Sequence, residues 1–203
     1  MRAKSMAVVG LGVLVLSAVG LPASADDTKW KVRFGLLYSS PTGDFSESGQ
    51  TTELDGSAGI HASAEFQVTD MIGVEPGIGY SKHDITVDEA GFPTLDFGET
   101  TWTALTVNGN FHLLPDRDFD LYVGPTIGYV LWGDIETSLF PGDVPTDDEF
   151  AIGVNAGIDV PIGDSPWDFS GGLRLLSTDL GVQSGGDIGA DPIQVKIGVS
   201  YTF

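Results

Sequence analysis

The chain ends on Ile193-Gln194-Val195-Lys196-Ile197-Gly198-Val199-Ser200-Tyr201-Thr202-Phe203, the stretch that decides its fold. Large apolar residues occupy every odd position from Ile193 to Phe203, and polar or small residues occupy the even positions between them. An alternation with a period of two is typical of a β-strand that has one apolar face and one polar face. The stretch therefore predicts an amphipathic strand at the end of the chain.

Seven earlier segments alternate in the same way, which makes eight predicted strands in all. In chain order, the apolar faces of the seven segments begin with Trp30, Ile60, Val74, Leu105, Leu121, Phe150 and Trp167. The polar faces carry many of the 28 glycines of the chain. The pattern predicts an all-β protein.

The predicted connections alternate between long and short. The long ones are 41–55, 87–99, 135–148 and 180–191, and the short ones are 69–71, 115–118 and 163–166. Long loops at one end and short turns at the other are typical of outer-membrane barrels, in which the short turns are periplasmic. Both termini would then be periplasmic.

Eight amphipathic strands can also form a soluble barrel of the lipocalin kind, with its apolar face inward. The glycine-rich polar face favours the opposite arrangement, because the interior of an eight-stranded barrel is only wide enough for side chains to fill it. An open sheet in lipid would leave backbone groups unpaired, so the sheet must close. We therefore predict an eight-stranded antiparallel up-and-down transmembrane β-barrel.

The polar face contains charges of both signs, which are tolerated in a narrow lumen only when they are paired. Four of the seven Lys and Arg residues that follow residue 25 lie on this face. We expect an ion-pair network in the lumen, with Arg174 beside Asp159 and with the basic first and last strands facing the acidic second and third. The predicted members are Lys31, Arg33, Glu65, Glu75, Asp159, Arg174 and Lys196.

Aromatic residues fall near both ends of the predicted strands. Trp30, Trp167, Tyr201 and Phe203 lie near the periplasmic ends, whereas Tyr38, Tyr80, Tyr129 and Phe150 lie near the outer ends. Two such girdles are expected where a barrel crosses the two membrane interfaces. Parity and strand direction place Leu37, Trp102 and Trp132 on the inner wall near the outer mouth, where they are candidates for an apolar entrance.

The N-terminus has the features of a secretory signal peptide. A basic start at Arg2 and Lys4 precedes the uncharged stretch 6–21 and Pro22-Ala23-Ser24-Ala25. This pattern predicts cleavage after Ala25, which leaves 26–203 as the barrel domain. The alternative is an uncleaved membrane anchor.

Composition excludes several classes of function. The formal net charge of −20 argues against nucleic acid, whose phosphates would be repelled. The chain has no cysteine, so disulfides and thiolate metal sites are excluded. No cluster of His, Asp and Glu has metal-ligand spacing, and the sequence predicts no cofactor.

Three short motifs resemble a known family. They are Asp191-Pro192 before the last strand, Leu121-Tyr122-Val123-Gly124-Pro125 in the fifth and Ala156-Gly157-Ile158-Asp159 in the sixth. They are similar to the outer-membrane protein W family and to the related small outer-membrane β-barrel domains. The ending on Tyr201 and Phe203 also resembles the terminal signature by which such barrels are recognised for insertion. The resemblance implies passage of small hydrophobic molecules, contact with lipid and lipopolysaccharide, and insertion by the barrel assembly machinery.

One arrangement on the second strand could be drawn as a catalytic triad. His61, Ser63 and Glu65 share its polar face. However, His61 and Glu65 would lie about 13 Å apart, given a rise of roughly 3.3 Å per residue. Two polar groups that serve the lumen network are the better interpretation, and we predict no catalytic residue and no enzyme activity. A lipid-modifying enzyme is the weakest of the alternatives.

The predicted outer loops are strongly acidic. Asp143, Asp147 and Asp148 lie in the third loop, and Asp88 and Glu89 lie in the second. Such carboxylates could bind divalent cations at the lipopolysaccharide surface, although a solvated acidic surface is the simpler interpretation. Three functions remain from the sequence: a narrow pore for small solutes, a structural envelope protein, and a receptor or adhesin that acts through its loops.

Overall fold

The computed structural model describes residues 30–47, 50–89, 91–114, 118–139, 141–182 and 187–203. The predicted signal peptide, residues 1–25, lies outside this part of the chain. The described residues form strands β1 (Trp30–Ser40), β2 (Asp44–Glu47), β3 (Gln50–Leu54), β4 (Ser57–Thr69), β5 (Ile72–Glu89), β6 (Leu95–His112), β7 (Asp120–Trp132), β8 (Thr146–Asp147), β9 (Glu149–Pro161), β10 (Trp167–Ser177), β11 (Asp179–Val182), β12 (Asp187–Gly189) and β13 (Ile193–Thr202).

Eight of these strands form a closed antiparallel ring. Its order is β1-β4-β5-β6-β7-β9-β10-β13, and β13 pairs with β1 to complete it. Lys31 pairs with Thr202 and Ser40 pairs with Ile193, so the closing pair runs along the whole of β1. The ring confirms the predicted eight-stranded barrel. Closure leaves these eight strands without a free edge, as a sheet in lipid requires.

The side chains alternate across the barrel wall as predicted. Leu36, Ile60 and Ile197 point outward and are 70%, 61% and 68% exposed. Arg33 and Glu65 point inward and are 2% and 0% exposed. Apolar groups therefore cover the outside and charged groups fill the inside, the reverse of a soluble barrel. No helix among the described residues is long and apolar enough to cross a membrane.

The two ends of the barrel differ. We call the end with the connections 70–71, 113–119 and 162–166 the turn end, and the opposite end the loop end. At the loop end, the predicted loop 87–99 is wrong in extent, because β5 continues to Glu89 and β6 starts at Leu95. Residues expected to form a loop continue the β5–β6 pairing instead.

The predicted long connections 41–55 and 180–191 also contain strands. The hairpin β2–β3 adds to the loop-end part of β5, through pairs such as Leu54 with Ile85. The short strands β8, β11 and β12 form a separate three-stranded sheet. The loop end is thus built from β-structure that lies over the ring, and this structure covers the lumen there.

Candidate functional site in the barrel lumen

Arg33 lies at the centre of a group of buried charges in the part of the lumen nearest the turn end. Its Nη1 donates hydrogen bonds to Glu65 Oε2 at 2.6 Å and to Glu75 Oε2 at 2.7 Å. Its Nη2 donates to Asp159 Oδ2 at 2.7 Å. The four side chains are each at most 2% exposed. Since buried charges are tolerated only when they are paired, one guanidinium holds carboxylates from β4, β5 and β9 together.

Lys31 extends this group toward the turn end. Its Nζ lies 2.9 Å from Asp159 Oδ2, 3.4 Å from Asp168 Oδ2 and 3.5 Å from Asp120 Oδ2. Asp159 therefore lies between two cations, Lys31 and Arg33. Both predicted cations of β1 are thus paired with predicted acidic residues. Arg33 pairs with all three of them, and Lys31 pairs with Asp159.

His112 joins the same group and links two of its carboxylates. Its Nε2 lies 2.6 Å from Glu65 Oε1, and its Nδ1 lies 2.8 Å from Asp120 Oδ1. A protonated imidazole has a donor on each nitrogen, so it suits a position between two carboxylates. We call the whole group the ion-pair floor; its members are Lys31, Arg33, Glu65, Glu75, His112, Asp120, Asp159 and Asp168.

Amides complete the hydrogen bonding of Glu75. Asn108 Nδ2 donates to Glu75 Oε1 at 3.1 Å, and Asn110 Nδ2 donates to Glu75 Oε2 at 3.0 Å. Asn155 Nδ2 in turn donates to Asn110 Oδ1 at 2.9 Å. Both oxygens of Glu75 therefore accept hydrogen bonds within the floor.

Two glycines provide the room that the floor needs. A Cβ at Gly73 would lie 1.8 Å from Glu65 Oε1, and a Cβ at Gly157 would lie 2.3 Å from Tyr122 Cζ. The Tyr122 ring is 2% exposed and lies under Arg33, with the guanidinium carbon 4.7 Å from the ring centroid. This is the geometry of a cation–π contact. The long side chains of the floor fit because neighbouring positions have none.

Arg174 and Lys196 lie in the lumen but outside the floor. The predicted pair of Arg174 with Asp159 is wrong, because the register of β9 and β10 places Asp159 opposite Ser170 and Arg174 opposite Asn155. Alternation assigns a residue to a face, but the register that selects its neighbour is set by long-range pairing. Among the described residues, no carboxylate forms an ion pair with Arg174 or Lys196.

The lumen at the loop end contains an apolar cluster beside buried polar side chains such as Ser81 and His83. Trp102 and Trp132 contact each other there, with ring centroids 4.9 Å apart. The cluster to which they belong has no member more than 7% exposed, and we call it the apolar cap; its members are Leu54, Ile85, Trp102, Ala104, Val130, Trp132, Ile135, Ala151, Leu176, Leu180, Ile188 and Ala190. Leu37 is also buried on the inner wall, at 2% exposure, and pairs with Lys196 across β1 and β13. The three predicted entrance residues are thus inside the barrel, and the two tryptophans are packed in a closed cluster.

Tyr201 and Phe203 lie on the outside at the turn end. Tyr201 contacts Trp167 and Phe203, with ring centroids 4.9 and 4.8 Å apart. Phe203 is 61% exposed, and its backbone N–H donates to the carbonyl of Trp30 at 3.0 Å. Both residues therefore belong to an aromatic girdle. Their role as an insertion signal remains a prediction.

Sequence reasoning missed several members of the lumen. Asn108, Asn110 and His112 occupy alternate positions on the polar face of β6, so the alternation alone predicts that they point into the lumen. Asp120 is the first residue of β7, and Asp168 is the second residue of β10. So close to the start of a strand, the sequence pattern does not separate a turn residue from a strand residue. What the sequence lacked was a signal for which of these groups converge on Arg33.

A family model described as "Outer membrane protein beta-barrel domain" matches residues 11–203. The chain belongs to this family. Outer-membrane barrels ordinarily have short turns at the periplasmic end and long loops outside, so we expect the turn end of this barrel to be periplasmic. The apolar outer wall suits that location. No curated protein matches the sequence.

Solved outer-membrane barrels share the fold. OprG from Pseudomonas aeruginosa is 15% identical, with a TM-score of 0.75, and the match covers 89% of this chain and 98% of OprG. Outer membrane protein W of E. coli is 17% identical, with a TM-score of 0.51 and coverage of 89% and 100%. Ail of Yersinia pestis, solved in complex with the heparin analogue sucrose octasulfate, is 12% identical, with a TM-score of 0.50 and coverage of 88% and 100%. At these identities the likeness shows the fold alone.

Proposed function

We propose that this outer-membrane barrel takes up small hydrophobic solutes at its outer mouth, in the apolar cap around Trp102 and Trp132. The observation that carries the proposal is the apolar cluster inside the lumen at the loop end, since the interior of a membrane barrel is ordinarily polar. Ligand sites for apolar molecules are lined mainly by aliphatic and aromatic side chains, as the cap is. A bound hydrophobic solute would replace apolar contacts among the side chains of the cap by apolar contacts with the solute.

The ion-pair floor supports a second part of the proposal, which is that ions do not pass straight through the resting barrel. Arg33, Glu65, Glu75 and Asp159 are bonded across the lumen and almost without exposed surface. Opening this level would separate buried ion pairs, which is costly. In a planar bilayer we therefore expect conductance steps that are small and rare. Frequent large steps would contradict a closed floor.

Solute uptake can be tested with tryptophan fluorescence, because the four tryptophans divide into two pairs. Trp102 and Trp132 lie in the cap at 0% and 5% exposure, whereas Trp30 and Trp167 lie in the periplasmic girdle. A W30F/W167F variant would report only on the cap, and a W102F/W132F variant would report only on the girdle. The small apolar quencher bromobenzene is titrated into both refolded proteins.

We expect saturable quenching of the cap tryptophans, added to the linear quenching that partition into detergent causes. The girdle tryptophans are the matched control, and they should show the linear component alone. If the two variants give the same linear response, the cap does not bind the probe and the proposed uptake is wrong. Heat-modifiable migration in detergent gels verifies that each variant is folded.

A second candidate function is attachment through the acidic loop end. Asp84, Asp88, Glu89 and Asp96 are exposed on the part of the β5–β6 hairpin that continues beyond Tyr80. A sulfated ligand such as the one bound by Ail would be repelled by this surface, so the partner would be cationic or bridged by divalent cations. Replacement of these four acids by Asn and Gln should abolish attachment of expressing cells to host cells while the gel migration stays unchanged. Unchanged attachment would eliminate this candidate.

A further inference from the structure

Two cations in the middle of the lumen form no ion pair within the part of the chain that the structure describes. Arg174 and Lys196 are 5% and 7% exposed, and no carboxylate of the described chain pairs with either. Arg174 Nε is buried without a hydrogen-bond partner. Glu75 attracts both cations from a distance without forming an ion pair with either. Arg174 Nε therefore keeps a buried donor that a ligand in the lumen would satisfy, since an unsatisfied buried polar group is costly.

The two side chains lie close together. Across β10 and β13, Lys196 pairs with Gly172 and Arg174 pairs with Gln194, so the two cations are diagonal neighbours on the inner face. Side chains in this relation are within reach of each other when they are long. The Lys196 side chain passes over Gly172, with Cε 3.1 Å from the position that a Cβ at Gly172 would occupy. Both cationic groups can therefore face one ligand.

Other unsatisfied polar atoms belong to the same level of the barrel. Gln194 Oε1 and His61 Nε2 are buried and lack hydrogen-bond partners. His61 Nε2 is a donor to a ligand in the tautomer that carries its proton, whereas Gln194 Oε1 is an acceptor and does not bind an anion. His61 is in register with Gly35 and Gly79, and Gly35 is in register with Gly198. Three glycines therefore share the ladder row of His61, and at Gly79 the Leu37 side chain approaches the position that a Cβ would occupy, at 3.3 Å. An ordinary packed core would satisfy such atoms or exclude them.

This level lies between the floor and the cap. On β10, Ser170 is opposite Asp159 of the floor and Leu176 belongs to the cap, so Arg174 falls between them. On β13, Ser200 is opposite Arg33, and Lys196 is four residues farther toward the loop end. Glu75 makes no direct contact with either cation, and its oxygens accept hydrogen bonds from Arg33, Asn108 and Asn110 instead.

We propose that Arg174 and Lys196 form a binding site for a small monovalent anion in the middle of the lumen. The ligand chemistry is that of a halide or of a small carboxylate, which accepts hydrogen bonds from a guanidinium and an ammonium together. A bulky anion is excluded, since the floor and the cap close the space on both sides. The site stands independently of solute uptake by the cap.

Bromide provides a direct test, because it scatters anomalously and resembles chloride in size. The mature chain is refolded in sodium bromide and crystallised, so that the anion can enter while the barrel forms. We expect an anomalous peak within hydrogen-bonding distance of Arg174 Nε and Lys196 Nζ. Water alone at this position would overturn the proposal, and an R174M/K196M variant should show no peak there.

Unfolding gives a second readout that does not need crystals. A ligand that binds only the folded state raises the unfolding midpoint. At constant ionic strength, replacing the bulky sulfonate HEPES by bromide should raise the urea midpoint of the wild type but not that of R174M/K196M. A K82M variant is the matched control, because it removes one positive charge from the exposed ion pair of Lys82 with Glu99 and should keep the bromide effect.

An acetate arm identifies which anions the site accepts. A midpoint that rises with acetate as it does with bromide assigns the site to carboxylates as well as halides, and a rise with bromide alone assigns it to halides. If the midpoints of the wild type and of R174M/K196M respond equally to bromide, the stabilisation is a general salt effect and the proposal fails.

Discussion

Replacement of Arg33 by methionine tests the energetic role of the ion-pair floor. Methionine keeps much of the apolar volume but removes the charge and every hydrogen bond of the guanidinium. Glu65, Glu75 and Asp159, which are 0–1% exposed, would each lose a bond of 2.6–2.7 Å. Glu65 would keep His112, and Asp159 would keep Lys31, so the loss is partial.

The expected magnitude follows from the burial of these carboxylates. Removing one partner of a buried ion pair typically costs about 3–5 kcal/mol, because the remaining charge stays buried without compensation. We therefore expect R33M to lower the free energy of unfolding by about 3–5 kcal/mol. The assay is equilibrium unfolding in urea with lipid vesicles, followed by heat-modifiable migration and by circular dichroism.

Two further variants make the result interpretable. K82M breaks an ion pair whose side chains are 47% and 37% exposed, and it should cost at most about 1 kcal/mol. An R33M/E75Q double variant should recover part of the loss, since one of the unpaired charges is gone. If R33M destabilises the barrel no more than K82M does, the floor does not hold the strands together and the reasoning is refuted.

Two other substitutions test the packing of the lumen and the direction of the wall. G73A places a Cβ 1.8 Å from Glu65 Oε1 and should lower the free energy of unfolding by about 1–3 kcal/mol in the same assay. The control G171A, whose Cβ would meet nothing closer than 3.7 Å, should lower it much less. Equal losses in the two variants would contradict the close fit around Gly73. L36R puts a charge on a side chain that is 70% exposed on the apolar outer wall, and about 2–4 kcal/mol is expected if that wall faces lipid. L139R, at an exposed position of the loop end, should be tolerated, and an equal tolerance of L36R would argue against a membrane-facing wall.

Much of the fold follows from local pattern. Each side chain of a strand points to the opposite face from its neighbour. The alternation around Arg33 and around Lys196 therefore assigns both side chains to the polar face before any tertiary contact is known. Turn residues and the alternation of long and short connections then give the order of the strands. The loop end was harder to predict, because the part of β5 and β6 beyond Tyr80 is polar and resembles a loop in composition although it is paired.

The sequence by itself determined that eight strands have one apolar face and one polar face, and that charges of both signs share the polar one. Only the tertiary structure decided which charges meet, because the registers between strands depend on closure of the whole ring. Register placed Arg174 opposite Asn155 and away from Asp159, and it brought Arg33 to three carboxylates. Faces are set by a period of two residues along one strand, whereas neighbours are set by pairing between distant parts of the chain.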